Sequence, residues 1–214
     1  MKKYILFDLD GTLTDPGVGI TNSVAYALDR YKITDYKKED LFKFIGPPLK
    51  DSFMTFYNFP EKQAIEAIDV YREYFRSKGI FENEVYPNVL ETLSELKKRG
   101  FKLLVASSKP EEFVKIILEH FDLSEYFDFV GGATMDEQTR ITKSAVIAWV
   151  LENMKITDMS QCLMVGDRLH DIEGAKSFGM ESVGCAFGYG GEEELKNAGA
   201  DHIIYSFEEI LNIV

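Results

Sequence analysis

Two pairs of carboxylates are the residues of this sequence best suited to chemistry. Asp8 and Asp10 stand two residues apart after the apolar run YILF. Asp167 and Asp171 stand four residues apart after a second apolar run, CLMVG. Carboxylates that lie close together repel one another, and burial adds a desolvation cost to each. If the two pairs meet, a hard cation or a bound proton must compensate their charge.

Groups that could bind an anion beside such a cation stand at two other places. Ser107 and Ser108 follow the apolar run FKLLVA, and Lys143 opens a helical pattern after the segment GGATMDEQTRIT. Mg²⁺ prefers oxygen ligands and keeps several waters, so it offers open positions to a phosphate. Ser107 and Lys143 could supply a hydroxyl and a cation for the remaining phosphate oxygens. Gly11 would let the chain turn sharply after the first carboxylates.

Alternating elements explain how these residues could meet. Short apolar runs typical of buried strands occupy 4–7, 101–107, 127–131, 162–166, 181–187 and 202–205. Helical patterns occupy 88–100, 110–121, 143–154, 171–179 and 192–199. Strands that alternate with helices predict an α/β fold with a doubly wound parallel sheet. In such sheets the chemistry gathers beyond the carboxyl ends of the strands, where the carboxylates are expected.

One stretch breaks this alternation. Between the first two strands the sequence shows only helical patterns, at 18–31, 37–44, 50–57 and 61–79. A helical block of this length is too long for a connection between two strands. The sequence therefore predicts two domains, a core formed by 1–15 and 82–214 and an inserted helical domain over 16–81.

The polar strand ends resemble, in order, the four motifs of the haloacid dehalogenase-like hydrolase superfamily. DLDGTLTD matches the first motif, the Ser107 strand end the second, Lys143 the third and GDRLHD the fourth. Softer features, among them FIGPPLKDSF, TRITK and FGYGGEEEL, resemble the phosphoglycolate phosphatase branch and, most closely, its 5'-nucleotidase-like subgroup. The resemblance implies a Rossmann-like sheet with strand order 5-4-1-2-3 and a helical C1 cap.

The resemblance also implies roles for the carboxylates. Asp8 attacks phosphorus and Asp10 acts as the general acid and base. The metal is held by the Asp8 side chain, the backbone carbonyl of Asp10 and the Asp167 side chain. Asp171 acts through water or by orienting Lys143. In addition, we expect a hydrogen bond from the Thr12 hydroxyl to Asp10.

The resemblance places the substrate phosphate among Ser107, Ser108, Lys143, Gly11 and Thr12. Many relatives carry lysine followed by proline at the third motif, whereas Ser144 follows Lys143 here. Lys109 and Arg140 are rival cations for the phosphate. We favour Lys143 because it opens the helix before the fourth strand.

The resulting prediction is a Mg²⁺-dependent phosphomonoester hydrolase that works through an aspartyl-phosphate and acts on a small phosphometabolite such as a nucleoside 5'-monophosphate. A phosphoglycolate phosphatase, a sugar phosphomutase and a non-catalytic phosphate-binding protein remain alternatives. Gly46 and Lys50 are the candidate specificity residues of the cap. Aromatic residues at 44, 53, 56, 57 and 59 could stack a nucleobase, but they more readily form the core of a small helical domain.

Composition narrows the partners and the location. The net charge of −12 is unfavourable for nucleic-acid binding, which needs a basic surface. No apolar run is long enough to span a bilayer, and a strand that begins at residue 4 leaves no room for a signal peptide. Cys162 and Cys185 lie in apolar runs and are expected to be buried thiols. We therefore expect a monomeric cytoplasmic protein that binds a small phosphate ester.

Overall fold

The main sheet of the protein, seen in a computed structural model that describes residues 2–136 and 138–214, contains six parallel strands. They are β1 (Tyr4–Phe7), β4 (Lys102–Pro110), β5 (Phe129–Ala133), β6 (Cys162–Gly166), β7 (Glu181–Cys185) and β8 (His202–Ile204). Their order in the sheet is β5-β4-β1-β6-β7-β8. The predicted α/β fold with a parallel sheet is therefore confirmed.

The strand order differs in detail from the predicted 5-4-1-2-3. The five strands that this order counts, β1, β4, β5, β6 and β7, do occupy those relative positions. The sixth, β8, extends the sheet beyond β7 and pairs with it in parallel through Val183 and His202. The prediction was incomplete because the resemblance supplied an order for five strands only, whereas the sequence contained a sixth apolar run.

Helices of the core unit follow the strands. They are α4 (Val89–Lys98), α5 (Glu111–His120), α6 (Lys143–Asn153), α7 (Leu169–Ser177) and α8 (Gly191–Ala198). Leu6 stands between Leu104 and Met164 in the register of the central strands. These side chains are buried in one cluster with α6 residues, including Val146 and Val150. Apolar burial on this face fixes α6 on the sheet and thereby places its first residue, Lys143.

The N-terminus of α6 has a defined cap. The Thr142 side chain accepts a hydrogen bond from the Ala145 amide at 3.2 Å. A threonine at this position satisfies one of the free amides of the first helical turn. The helix consequently begins at Lys143, where the sequence pattern predicted it.

The chain divides into two compact units, one formed by Met1–Thr14 with Val85–Val214 and the other by Asp15–Glu84. The second unit contains α1 (Gly17–Arg30), α2 (Leu49–Tyr57), α3 (Glu61–Ser77) and two 3₁₀ helices, Lys38–Phe44 and Gly79–Phe81. Two short strands, β2 (Thr14–Asp15) and β3 (Glu84–Val85), form a separate two-stranded sheet. Among the described residues, no helix combines the length and the apolar character needed to cross a bilayer.

Candidate active site

Three buried carboxylates meet beyond β1 and β6. One carboxylate oxygen from each of Asp8, Asp167 and Asp171 lies within 4.8 Å of the other two. Asp8 follows β1 directly, and Asp167 follows β6, its neighbour in the sheet. Parallel pairing therefore brings these residues to one edge, as the positions of the motifs predicted.

Lys143 is the cation inside this carboxylate cluster. Its Nζ lies 2.9 Å from Asp8 Oδ1 and 2.8 Å from Asp171 Oδ1, and it donates to the Ala106 carbonyl at 2.9 Å. Only 4% of the side chain is exposed. Burial alone would lower the pKa of this amine, but Asp171 and Asp8 outweigh it, so the pKa is raised. Lys143 is therefore positively charged at neutral pH.

Asp10 lies outside the cluster and has a different partner. Its Oδ2 is 2.7 Å from Lys109 Nζ, and the two side chains are 13% and 6% exposed. Among the described residues, nothing hydrogen-bonds Asp10 Oδ1. Burial raises the pKa of the Asp10 carboxyl, and the opposing effect of Lys109 leaves it above its ordinary value. The carboxyl is therefore easier to protonate than an ordinary aspartate.

The predicted hydrogen bond from Thr12 to Asp10 is wrong. Within the part of the chain that the structure describes, the Thr12 hydroxyl makes no hydrogen bond with Asp10. The amides of Thr12, Leu13 and Thr14 all donate to the Leu9 carbonyl, so the chain turns tightly here. This turn leaves Thr12 fully buried, whereas Asp10 keeps some exposure and pairs with Lys109 instead.

Asp167 is held by backbone on one side. Its Oδ2 accepts a hydrogen bond from the Tyr189 amide at 2.8 Å, while Oδ1 is buried with no hydrogen-bond partner among the described residues. Burial, together with the charges of Asp171 and Asp8, raises the pKa of Asp167 well above its ordinary value. A buried carboxylate in this state needs a cation or a proton.

Glycines make room around Asp167. A Cβ on Gly11, which has φ +79°, would come within 2.1 Å of Asp167 Oδ2. A Cβ on Gly188 would come within 2.4 Å of both the Asp167 Cβ and the Gly11 carbonyl oxygen. Side chains at these two positions would displace Asp167, so the glycines keep its carboxylate in place.

Asp171 joins the helix N-terminus to the cluster. Its Oδ2 accepts a hydrogen bond from the Arg168 amide at 3.0 Å, and its Oδ1 faces Lys143. Burial raises the pKa of Asp171, and Lys143 partly offsets this effect. The contact with Lys143 is the one that the predicted orienting role requires.

The cluster has the properties of a site for a hard divalent cation. Its carboxylate oxygens are suitable ligand atoms, they are buried, and Asp167 Oδ1 lacks a partner among the residues described. The side chains of Asp8, Asp167 and Asp171 could hold such an ion. The metal-binding role of Asp10 was predicted for its backbone carbonyl only, and it stays a prediction.

The remaining predicted phosphate-binding residues differ in their surroundings. Ser107 is 1% exposed and Ser108 is half-buried, and both lie within β4, which continues to Pro110. The amide of Gly11 donates to the Thr14 carbonyl and that of Thr12 to Leu9, so both amides already have partners.

The rival cation Arg140 contacts other groups. It lies 3.3 Å from Glu111 Oε2 and over the Trp149 ring at 4.4 Å from its centroid. Lys143 and Lys109, by contrast, pair with the motif carboxylates Asp8 and Asp10.

In the helical unit, Gly46 adopts φ +102° and Lys50 lies 3.3 Å from Glu61 Oε1. Phe53 stacks on Phe59 at 5.7 Å and meets Phe44 edge to face at 5.0 Å. All three rings are at most 6% exposed. The aromatic residues with these contacts form the core of the helical unit, as expected.

Sequence reasoning missed two contributions to the site. The pairing of Lys109 with Asp10 was not foreseen, because Lys109 was considered only as a phosphate ligand. The contact of the segment FGYGG with Asp167 was missed as well, although the glycines of this segment indicated that its backbone approaches another group closely. Cys162 and Cys185 are buried free thiols, as predicted. Burial, and after it the charge of Asp167, raises the pKa of the Cys185 thiol well above its ordinary value.

Comparisons with known proteins agree with this geometry. A family model described as haloacid dehalogenase-like hydrolase matches residues 5–185. A 5'-nucleotidase from Pseudomonas aeruginosa is 44% identical over 192 residues, which cover 90% of this chain and 86% of that protein. A phosphoglycolate phosphatase from Vibrio parahaemolyticus is 30% identical, covering 99% of this chain and 96% of that protein.

A solved structure is also closely similar. The crystal structure of a predicted phosphatase from Clostridium acetobutylicum is 48% identical, with a TM-score of 0.96. The match covers 100% of this chain and 98% of that one. The resemblance inferred from the four motifs is confirmed, and the prediction of a phosphatase is supported.

Proposed function

Because the chain belongs to the haloacid dehalogenase-like hydrolase family, we propose that it is a Mg²⁺-dependent phosphatase that cleaves small phosphate monoesters through an aspartyl-phosphate on Asp8. The observation that carries this proposal is the environment of Asp8. Its carboxylate is held by Lys143 at 2.9 Å and by the Leu9 amide at 2.7 Å, beside Asp167 and Asp171. A nucleophile fixed in this way needs little reorganisation to attack.

The first step transfers the phosphoryl group to the enzyme. An Asp8 carboxylate oxygen forms a bond to phosphorus while the bond from phosphorus to the leaving oxygen breaks. Asp10 gives its proton to that oxygen, and the product alcohol departs. The raised pKa of Asp10, caused by burial, suits a group that must carry this proton.

The second step returns the enzyme to its starting state. Asp10 takes a proton from water as the water oxygen attacks phosphorus, and the bond from phosphorus to Asp8 breaks. The products are inorganic phosphate and the free Asp8 carboxylate. Bound Mg²⁺ would supply positive charge to the phosphoryl oxygens. The hydroxyls of Ser107 and Ser108 and the amine of Lys143 would bind the same oxygens.

For the substrate we propose a nucleoside 5'-monophosphate. The support is the 44% identity, over most of the chain, to a protein named 5'-nucleotidase. Phosphoglycolate is the second candidate, since a protein with that activity in its name is 30% identical over nearly the whole chain. A phosphoglycolate pocket needs a cation for the second charge, and Lys50, the candidate cap cation, already has Glu61 beside it. We propose that the helical unit acts as the cap that selects between such substrates.

The test is phosphate release, with and without Mg²⁺, from nucleoside 5'-monophosphates, phosphoglycolate and sugar phosphates. We expect Mg²⁺-dependent release, fastest with a nucleotide, and none from Asp8→Asn. Faster release from phosphoglycolate would overturn the substrate but keep the phosphatase. Movement of phosphate between sugar hydroxyls without net release would indicate a mutase. Binding without any turnover would overturn the proposed function.

A further inference from the structure

Lys143 pairs with Asp8 and Asp171, whereas Lys109 pairs with Asp10. From this division we propose that Lys109 is a positioning residue that holds the Asp10 carboxyl for proton transfer. The inference rests on the proposed phosphatase function. In this proposal Lys109 acts on the departure of the leaving group, through Asp10, and does not bind the phosphate.

The contacts of the two lysines support this division. Lys143 Nζ meets Asp8 Oδ1, Asp171 Oδ1 and the Ala106 carbonyl. Lys109 Nζ meets Asp10 Oδ2 at 2.7 Å. An ion pair with side chains only 6% and 13% exposed is weakly screened by solvent, so it restricts both groups strongly.

The two oxygens of Asp10 are consequently not equivalent. Oδ2 is held by Lys109, whereas Oδ1 is buried with no hydrogen-bond partner in the described part of the chain. A carboxyl that is fixed through one oxygen presents the other in a constant direction. We assign the transferred proton to Oδ1, and Lys109 keeps its own proton throughout both steps.

An irregularity in β4 places Lys109. Ser107 pairs with Gly132 in the register of β4 and β5, but the next pair is Pro110 with Ala133, so the register shifts between them. Such bulges redirect side chains next to active sites. The Ser107 hydroxyl accepts a hydrogen bond from the Lys109 amide at 3.3 Å, which braces the irregular segment.

Gly132 permits this arrangement. A Cβ at Gly132 would lie 2.8 Å from the Lys109 carbonyl oxygen and 2.7 Å from the Glu111 amide nitrogen. Only a residue without a side chain allows the backbone to come this close. The backbone position of Lys109 is thus fixed by the pairing of β4 with β5.

The test uses the dependence of the rate on the leaving group. p-Nitrophenolate leaves without help from an acid, whereas the alcohols of a nucleoside 5'-monophosphate and of phosphoglycolate need a proton. Because general acid catalysis contributes about 10²–10⁴-fold, we expect Lys109→Met to lose at least about tenfold more kcat/KM with the alkyl esters than with p-nitrophenyl phosphate. The inhibition constant for inorganic phosphate should not change, and Lys109→Arg should restore part of the loss.

The control is Lys115→Met, which removes an exposed lysine whose partner is Glu111, one turn away on α5. It should match the wild type with every ester. Equal losses by Lys109→Met on all esters, or weaker inhibition by phosphate, would assign Lys109 to phosphate binding and overturn the inference. No loss on any ester would overturn it too. In both cases an active wild type leaves the proposed phosphatase intact, whereas an inactive wild type overturns both.

Discussion

The carboxyl edge of the main sheet and the interior of the helical unit bury opposite kinds of side chain. At the sheet edge, Asp8, Asp167, Asp171 and Lys143 are all at most 5% exposed. In the helical unit the buried interior contains stacked aromatic rings, such as Phe53 on Phe59. Buried charges cost folding free energy unless they are paired, whereas buried rings stabilise a fold directly. The first region therefore offers buried charged groups suited to chemistry, whereas the interior of the second stabilises its own fold.

The largest expected effect is that of Asp8→Asn on turnover. An amide cannot form the acyl phosphate, so kcat should fall by at least about 10⁴-fold, as it does when other enzymes lose a nucleophile. Phosphate release and thermal melting would be measured together. The variant should still fold, because the change removes one of three mutually repelling carboxylates. Activity within tenfold of the wild type would contradict the assignment of Asp8.

Lys143→Met should have the largest effect on stability at the sheet edge. It leaves Asp8 and Asp171 without their shared cation, and breaking a buried pair costs about 3–5 kcal/mol. The raised pKa of Lys143 means that its contribution is present below the unfolded pKa of the amine and is lost as pH rises through the folded value.

Urea unfolding of the wild type and Lys143→Met across pH would test this. Burial raises the pKa of the Asp171 carboxyl, so this group becomes protonated at acid pH. A neutral carboxyl is stabilised less by the charge of Lys143. The difference in unfolding free energy should therefore shrink as the pH falls. A difference in unfolding free energy that grows as the pH falls would contradict this explanation.

Phe53→Ala should produce a loss of similar size in the helical unit. Truncating a fully buried phenylalanine costs about 3–5 kcal/mol. Hydrogen exchange would locate the effect: protection should fall in α1, α2 and α3 and stay unchanged in α6 and α7. If the core helices lost protection equally, the two regions would not be separable units of stability.

Gly188→Ala should weaken metal binding. The new methyl group would displace Asp167, and changes in residues that support metal ligands typically cost about 10–100-fold in affinity. Titration calorimetry with Mg²⁺ would measure it without substrate. Gly179→Ala is the control, since its Cβ would meet nothing within 4 Å although φ is +66°. Gly179→Ala should lower stability and leave Mg²⁺ affinity unchanged. If both variants bound Mg²⁺ with equal affinity, Gly188 would not support the metal site.

The smallest effect is expected for Lys50→Met. The ion pair with Glu61 involves a side chain that is 66% exposed, and such pairs contribute about 0–1 kcal/mol. Unfolding free energy should hardly change, and nucleotide turnover should be retained. A selective loss of phosphoglycolate turnover would instead make Lys50 a specificity residue and favour the second substrate.

The positions of the carboxylates were predictable because they follow apolar strands directly. Asp8 and Asp167 had to meet once β1 and β6 paired, and the strand order that the family resemblance implies makes these two strands neighbours. Lys143 could be favoured over Arg140 because helix α6 begins there. In each case the position of the functional side chain depends on where a strand ends or a helix begins, and a local sequence pattern indicates that position.

Contacts that depend on the path of an irregular segment were not predictable. The predicted hydrogen bond from Thr12 to Asp10 is absent because a tight turn around the Leu9 carbonyl buries Thr12. The pairing of Lys109 with Asp10 depends on a register shift in β4, which leaves no mark in hydrophobic periodicity. The close approach of Gly188 to Asp167 joins residues that only the folded chain brings together.

The most direct test of the central claim is peptide mass spectrometry after rapid acid quenching during turnover. The enzyme would be mixed with p-nitrophenyl phosphate and Mg²⁺, and Asp10→Asn would be examined beside the wild type. We predict one phosphoryl group on Asp8, at higher occupancy in Asp10→Asn because the base for the second step is missing. Phosphate release without a phosphorylated Asp8, or a phosphoryl group on another residue, would contradict the account.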